Sequence, residues 1–391
     1  MEKGHLHKDQ LKKKQENHFP ISLLETGQNA FPEIISQIRS ARQEILLHMF
    51  IWREDRIGTG IAQELLKAAD RGVSIVIEKD RYGLLLEYAE ESQRSFCHSP
   101  NLWERIEIRT LCLLYNRDLF TKPLQSDQSA LYRKLKEHPN VIMKDSRKTE
   151  DHSKYYIFDS QVMILGGINI EDKEYDIDRK GRAYHDYMVR IGDAEIISQF
   201  LEKRESPRKK SDLFRINTNQ PVRCFELKES FLELIDEAES QITIMMAYFA
   251  PEKEIMSAVF QALDRGVSVR IMIPRSANYH NDTNGYTVSK LLRYQHDKTK
   301  GKLSVFMTGY MLHTKLIMNE KRIMTGSCNI NRKSFDRLGE LCIVTDNDDS
   351  LFACQVRASV QELFDNSVQI NGSSNISYNH LLAAAELLIM R

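Results

Sequence analysis

The sequence predicts an α/β protein of two similar lobes, each a sheet flanked by helices and each supplying half of one site. Three observations carry this: the length, an internal repeat, and strand and helix periodicities that recur in the same order. At 391 residues the chain exceeds what one hydrophobic core organises, and 41% apolar residues can fill two. Residues 34–80 and 231–276 share one plan: an amphipathic helix, an apolar strand (ILLHMFIW, ITIMMAYF), a second amphipathic helix, the turn Asp-Arg-Gly-Val-Ser, and another strand. That is a βαβ order in each half. Gly72 and Gly266 fall where a helix stops and reverses, a position that favours a left-handed backbone.

The repeat continues into two chemically dense segments, HSKYYIFDSQVMILGGIN at 152–169 and HTKLIMNEKRIMTGSCN at 313–329. Each reads as two strands joined by a tight polar turn. His152 and Lys154, like His313 and Lys315, are two apart on the first strand, so their side chains emerge on one face. Asn169 and Asn329 close the segments, behind Gly167 in one and Ser327 in the other. Cleaving a phosphodiester needs a nucleophile, an acid for the departing alkoxide and fixed positive charge. Two copies supply all three: imidazoles that serve neutral or protonated, lysines beside the phosphate, and amides or a Ser327 hydroxyl donating to its oxygens. One copy has no opposed acid, so the halves are expected to meet face to face around a single cleft.

Spacing assigns the remainder. The Asp-Arg-Gly-Val-Ser turns lie 194 residues apart and the histidines 161, so the first half holds about 33 extra residues, an insertion within 83–150 that serves as lid or pocket wall or as a surface excursion. The expected organisation is a lobe over 19–201, a charged linker at 202–212, a lobe over 213–370, and a tail helix in 371–391 headed by Asn379. Asp159 and Glu320 follow the first strand of each segment and are expected either in the chemistry or in stabilising the turn. Asp186 (YHDYMVRI) and Glu340 (LGELCIV) open apolar runs from which a carboxylate can orient an imidazole. Trp52, Phe50, Tyr248 and Phe249 end strands expected to point at the cleft or into the core.

Lys+Arg equals Asp+Glu at 55 each, which removes the basic excess of a general nucleic-acid binder. Six scattered cysteines fit a reducing compartment. No apolar window reaches the ~18 residues of a spanning helix, so the expectation is a cytoplasmic protein, soluble or peripheral on the cytoplasmic membrane face. Lys12, Lys13 and Lys14 offer contact with an anionic membrane, or merely a solvated end. His5, His7, His18 and His185 have no metal-site spacing, and neither metal nor cofactor is expected.

HxKx4D followed by GGxN, and HxKx4E followed by GSxN, resemble the paired HKD motifs of the phospholipase D superfamily. FIWREDRIG, GGINIEDKEY, AYFAPEKEI and GSCNINRKSF are similar to its bacterial cardiolipin synthase branch, over about residues 21–365. Departures are Glu320 for the usual Asp, a shorter turn before Gly-Ser, Leu338 for a common asparagine, and Lys333 for a frequent arginine. The resemblance implies α-β-α lobes with mixed sheets packed with pseudo-twofold symmetry, and a double displacement through a phosphohistidine, His152 attacking and His313 serving as acid and base. It implies a phosphatidyltransferase making cardiolipin and glycerol from phosphatidylglycerol, with a hydrolase, a metal-independent endonuclease or a non-catalytic lipid-binding scaffold as alternatives. A pseudo-twofold monomer completes the site, so no oligomer is required.

Overall fold

The computed structural model describes residues 20–124, 128–145, 149–373 and 376–390. Lys12 to Lys14 and His5, His7 and His18 lie outside them. The first sheet comprises β1 (Ile21–Glu25), β2 (Glu44–Met49), β3 (Ser74–Lys79), β4 (Val141–Lys144), β5 (Tyr155–Phe158), β6 (Val162–Gly166) and β8 (Tyr187–Ile191), in the order β1-β8-β6-β5-β2-β3-β4. β7 (Tyr184–His185) stands apart. The second sheet comprises β9 (Phe214–Thr218), β10 (Cys224–Phe225), β11 (Gln241–Met246), β12 (Ser268–Pro274), β13 (Leu303–Thr308), β15 (Lys315–Asn319), β16 (Arg322–Gly326), β17 (Glu340–Asp346) and β18 (Val368–Ile370). β14 (Met311–Leu312) pairs with β7 instead. With the order β10-β9-β17-β16-β15-β11-β12-β13-β18, the second sheet repeats the first and adds a strand at each edge.

Both sheets are mixed. β2, β3 and β4 run parallel, as do β11, β12 and β13, while β5 and β15 pair antiparallel to β2 and β11. The parallel strands are connected through helices Arg56–Asp70 and Lys253–Arg265, whose apolar stripes (Ile61, Leu65, Ala68; Ile255, Val259, Leu263) pack on the outer sheet faces. Gly266 ends the second helix with φ +102° and Gly72 follows the first at φ +92°, the left-handed geometry expected of that turn. The arginine before each glycine does work that spacing did not reveal. Arg71 donates to the carbonyls of Ile38 and Arg39, Arg265 to those of Ile235 and Asp236, and each ties the end of the preceding helix to the crossover.

The inner faces of the two sheets meet. Tyr155, Ile157, Met163, Leu165 and Val189 pack with Met245, Leu316, Met318, Ile323 and Ile343 in one shared core. Helices Ala194–Glu205 and Leu351–Asp365 supply Ile197, Phe200, Phe352 and Val356 to it. All residues of β5 and β15 are buried, as strands covered on both faces must be. The insertion within 83–150 forms helices Leu84–Ala89, Leu102–Tyr115 and Ala130–Glu137 before β4, with a small core of Leu84, Tyr88, Ile108, Cys112 and Leu119. The tail forms helix His380–Ile389, capped by the Asn379 side chain. Among the described residues no helix is long and apolar enough to cross a membrane.

Candidate active site

Each histidine is placed by a backbone bond to the opposite lobe. The His152 N–H donates to the Gly339 carbonyl at 2.7 Å, and the His313 N–H to the His185 carbonyl at 2.8 Å. The pairing β7–β14 makes the second contact, and the parallel bridge Asp151–Gly339 makes the first. The residue following each of those acceptors is an acid, Glu340 or Asp186. The carboxylates are therefore exchanged between lobes: His152 Nδ1 lies 3.0 Å from Glu340 Oε2, and His313 Nδ1 lies 2.7 Å from Asp186 Oδ2. A carboxylate only accepts, so in both rings Nδ1 carries the hydrogen and Nε2 keeps its lone pair.

Both imidazoles line one cavity with Asn169 and Asn329, and their side chains are 12% and 8% exposed, open enough for a ligand to reach. The Asn169 carboxamide oxygen accepts from the Ile51 N–H at 3.3 Å, which leaves its NH2 for a ligand. Phe50 meets His152 edge-on at 4.7 Å between centroids, whereas Tyr184 and Tyr248 flank His313 at 6.0 and 6.1 Å. Trp52 and Phe249 are fully buried in the core clusters, so of the four strand-end aromatics only Phe50 and Tyr248 face the cavity. Apolar side chains dominate the remaining wall, including Leu85, Leu111, Leu338, Ile389 and Met390.

Lys154 and Lys315 are buried behind the histidines. Lys154 Nζ donates to the His152 carbonyl at 2.5 Å, and Lys315 Nζ to Asp186 at 3.1 Å and to the His313 carbonyl. Burial and the neighbouring lysines hold both histidines below the ordinary range, His313 at about 3. Burial also lowers Lys154 to about 7. Burial raises the Asp186 carboxyl, but Lys315 and His313 outweigh it and keep the group ionised. A base held neutral in this way works at acid pH. The acid limb of a kcat/KM profile is expected below the free-imidazole value of about 6.5, and a limb at or above it contradicts the assignment.

Two pairs of expected residues fall elsewhere. Asp159 and Glu320 stand at the far ends of β5 and β15, away from the histidines. Asp159 accepts the N–H groups of Arg42, Gln43 and Glu44 at 2.8, 2.8 and 2.9 Å, and Glu320 accepts those of Glu239, Ser240 and Gln241. Each fastens the entry of the adjacent strand, β2 or β11, which is neither the chemistry nor the support of its own turn that the sequence suggested. Asp159→Ala is expected to cost about 1 kcal/mol of stability, since the exposed amides it frees can turn to water, with kcat within a few-fold of the parent, as urea titration and assay would show.

Ser327, expected as a phosphate donor, is fully buried and gives its hydroxyl to Glu340 Oε2 at 2.5 Å, the same oxygen that faces His152. Gly167, expected beside the phosphate, has a different reason to be glycine: a Cβ there would lie 2.2 Å from Asp186 Oδ2. Both positions support the orienting acids. His185 contacts Thr314 and Glu25 and ties the lobes together.

Sequence reasoning missed a charged cluster in the cavity wall. Lys173 donates to Glu90 at 2.7 Å, Arg53 to Glu171 at 2.5 Å, and Asn278 reaches Glu90 from the other lobe at 3.0 Å. Burial raises Glu90, but Lys173 and Arg53 overcome it and hold the carboxyl at about 2. Glu174 lies behind His313, its Oε1 3.8 Å from Nδ1 and without a hydrogen-bond partner, and burial with Glu171 and Asp186 pushes it up to about 8. The only advance signal was the acidic run IEDKEY.

The comparisons with known proteins match this architecture. The family model described as cardiolipin synthase, PLD-like domain, matches residues 34–206 and 231–364, one stretch per lobe. Cardiolipin synthase B of Salmonella typhi is 26% identical over 277 residues, 65% of this chain, and the chain spans 59% of that relative's length. Cardiolipin synthase A of Pseudomonas putida (strain GB-1) is 23% identical over 376 residues, 91% of this chain and 70% of the relative. The fold matches the crystal structure of phosphatidylserine synthase from Haemophilus influenzae Rd KW20 with a TM-score of 0.67 at 13% identity, over 98% of this chain and 99% of that one. Two matched lobes and paired motifs over most of its length mean that the chain belongs to the cardiolipin synthase family of phospholipase D-like domains.

Proposed function

We propose that the protein is a phosphatidyltransferase that forms cardiolipin and glycerol from two molecules of phosphatidylglycerol. The observation that carries this is the exchanged pair of imidazole–carboxylate contacts around one cavity, which offers a nucleophile and an acid to the same phosphorus. In the first step His152 Nε2 attacks phosphorus, the bond from phosphorus to the glycerol oxygen breaks, and protonated His313 gives its proton to the departing alkoxide. In the second, neutral His313 takes the proton of an incoming lipid hydroxyl, that oxygen attacks phosphorus, and the bond to His152 breaks. Attack is assigned to His152 by family resemblance. His313 is neutral while the cavity is empty, and the negative charge of the arriving diester favours its protonation. Glu340 and Asp186 stabilise whichever imidazolium forms. The apolar wall formed by Leu85, Leu111, Leu338, Ile389 and Met390 suits acyl chains better than nucleotides.

The test is incubation of the purified chain with labelled phosphatidylglycerol vesicles. Cardiolipin and glycerol in equal amounts support the reading. Phosphatidic acid in place of cardiolipin makes the enzyme a hydrolase, and cleavage of single-stranded DNA with inert lipid makes it a nuclease.

A further inference from the structure

Helix Leu102–Tyr115 carries apolar residues on two faces. The inner face packs Ile108 and Cys112 into the core of the insertion, and Leu111 and Tyr115 line the cavity with His152 and His313. The outer face is a stripe at three-, four- and seven-residue spacing, Leu102, Trp103, Ile106, Leu113 and Leu114, all exposed, with Trp103 at 75%. The tail helix repeats the arrangement. Ile389 and Met390 reach the cavity, while Leu381 and Leu388 stand 82% and 64% exposed. Two separate segments thus wall one cavity, each with apolar residues on the inside and an exposed apolar stripe outside.

We infer that these two stripes, Leu102/Trp103/Ile106/Leu113/Leu114 and Leu381/Leu388, dock the mouth of the cavity into the acyl boundary of a lipid bilayer. The inference rests on the reading of the substrate as a phospholipid. A bilayer is the occupant that fits because it covers both stripes while leaving the mouth open to its own molecules. A protein spanning the two helices would close the entrance. Exposed Arg117, in the short turn that follows the helix, donates its Nε–H to the Leu113 carbonyl in the stripe at 3.3 Å, and exposed Lys122 lies just beyond, so both cations can reach lipid phosphates while the aliphatic residues enter the apolar layer. Acyl chains leaving the cavity between Leu111 and Ile389 then pass from one apolar surface to another without crossing water.

The sequence provides its own reporter. Of the two tryptophans, Trp52 is fully buried in the first lobe, so a change of emission on adding vesicles belongs to Trp103. With the full chain and vesicles of phosphatidylcholine and phosphatidylglycerol, a blue shift of that emission is expected, together with quenching by lipids brominated on their acyl chains. Ile106→Gln combined with Leu388→Gln should lower both vesicle flotation and turnover of vesicle substrate about tenfold or more. Turnover of monomeric short-chain phosphatidylglycerol should be unchanged, which also shows that the variant is folded. Unshifted, unquenched emission overturns the inference, as do equal losses on both substrates. Self-association of the parent that the double variant abolishes overturns it in favour of a second copy. A chain that shifts and is quenched on vesicles yet turns over no phosphodiester keeps the docking surface and refutes the proposed reaction.

Discussion

Replacing either His152 or His313 with alanine is expected to lower kcat by about 10⁴-fold or more, and replacing both should cost little beyond the worse of the two. Groups that act as one unit are strongly non-additive, because losing the nucleophile leaves the acid nothing to assist. The structure gives this a geometric basis. The imidazoles face one cavity from opposite lobes, and each is held by the carboxylate of the other. Both variants should keep their melting temperature within a few degrees, since each ring is partly open to the cavity. If the two losses multiply in the double variant, the residues serve separate sites and the account of a shared phosphorus fails.

Substituting the exchanged acids should give the second largest effect, with a split between rate and stability. Glu340→Gln keeps the shape but loses the charge that fixes the His152 tautomer, so a fall in kcat of about 10³- to 10⁴-fold is expected. Asp186→Asn should match it in rate and add a stability loss of about 3–5 kcal/mol, because Lys315 would stay buried without its carboxylate. Ser327→Ala tests the support of Glu340 more gently, with an expected loss of about tenfold and a small cost in stability. Kinetics and urea titrations on the same preparations separate the two effects. Equal stability losses for Asp186→Asn and Glu340→Gln would contradict the distinct surroundings of the two acids.

The repeat was the most legible part of the fold. Continuous apolar runs and helical stripes read twice gave the two lobes and placed β5 and β15, because strands buried on both faces leave a strong local signature. His152, Asn169 and their counterparts, which the structure brings to one cavity, stood out for a related reason: polar residues at fixed offsets inside apolar strands have few purely structural explanations, whereas Lys154 and Lys315, expected beside the phosphate, lie buried behind the histidines. What local pattern could not show was which lobe each carboxylate serves. Asp186 follows the first motif by 17 residues beyond Asn169, yet its partner is His313, a pairing made by the β7–β14 contact between residues more than 120 apart. Ser327 and Gly167 were misplaced for the same reason, their function being set by acids that arrive from other strands. Glu90 and Asn278 are separated by 188 residues and carry no periodic signal at all.

The most direct test is the stereochemistry at phosphorus with a phosphatidylglycerol analogue made chiral by sulfur and isotopic oxygen. Two successive in-line displacements, first by a histidine and then by the acceptor hydroxyl, predict net retention of configuration. Net inversion would mean that the acceptor attacks the substrate itself, and the shared two-histidine site would be wrong.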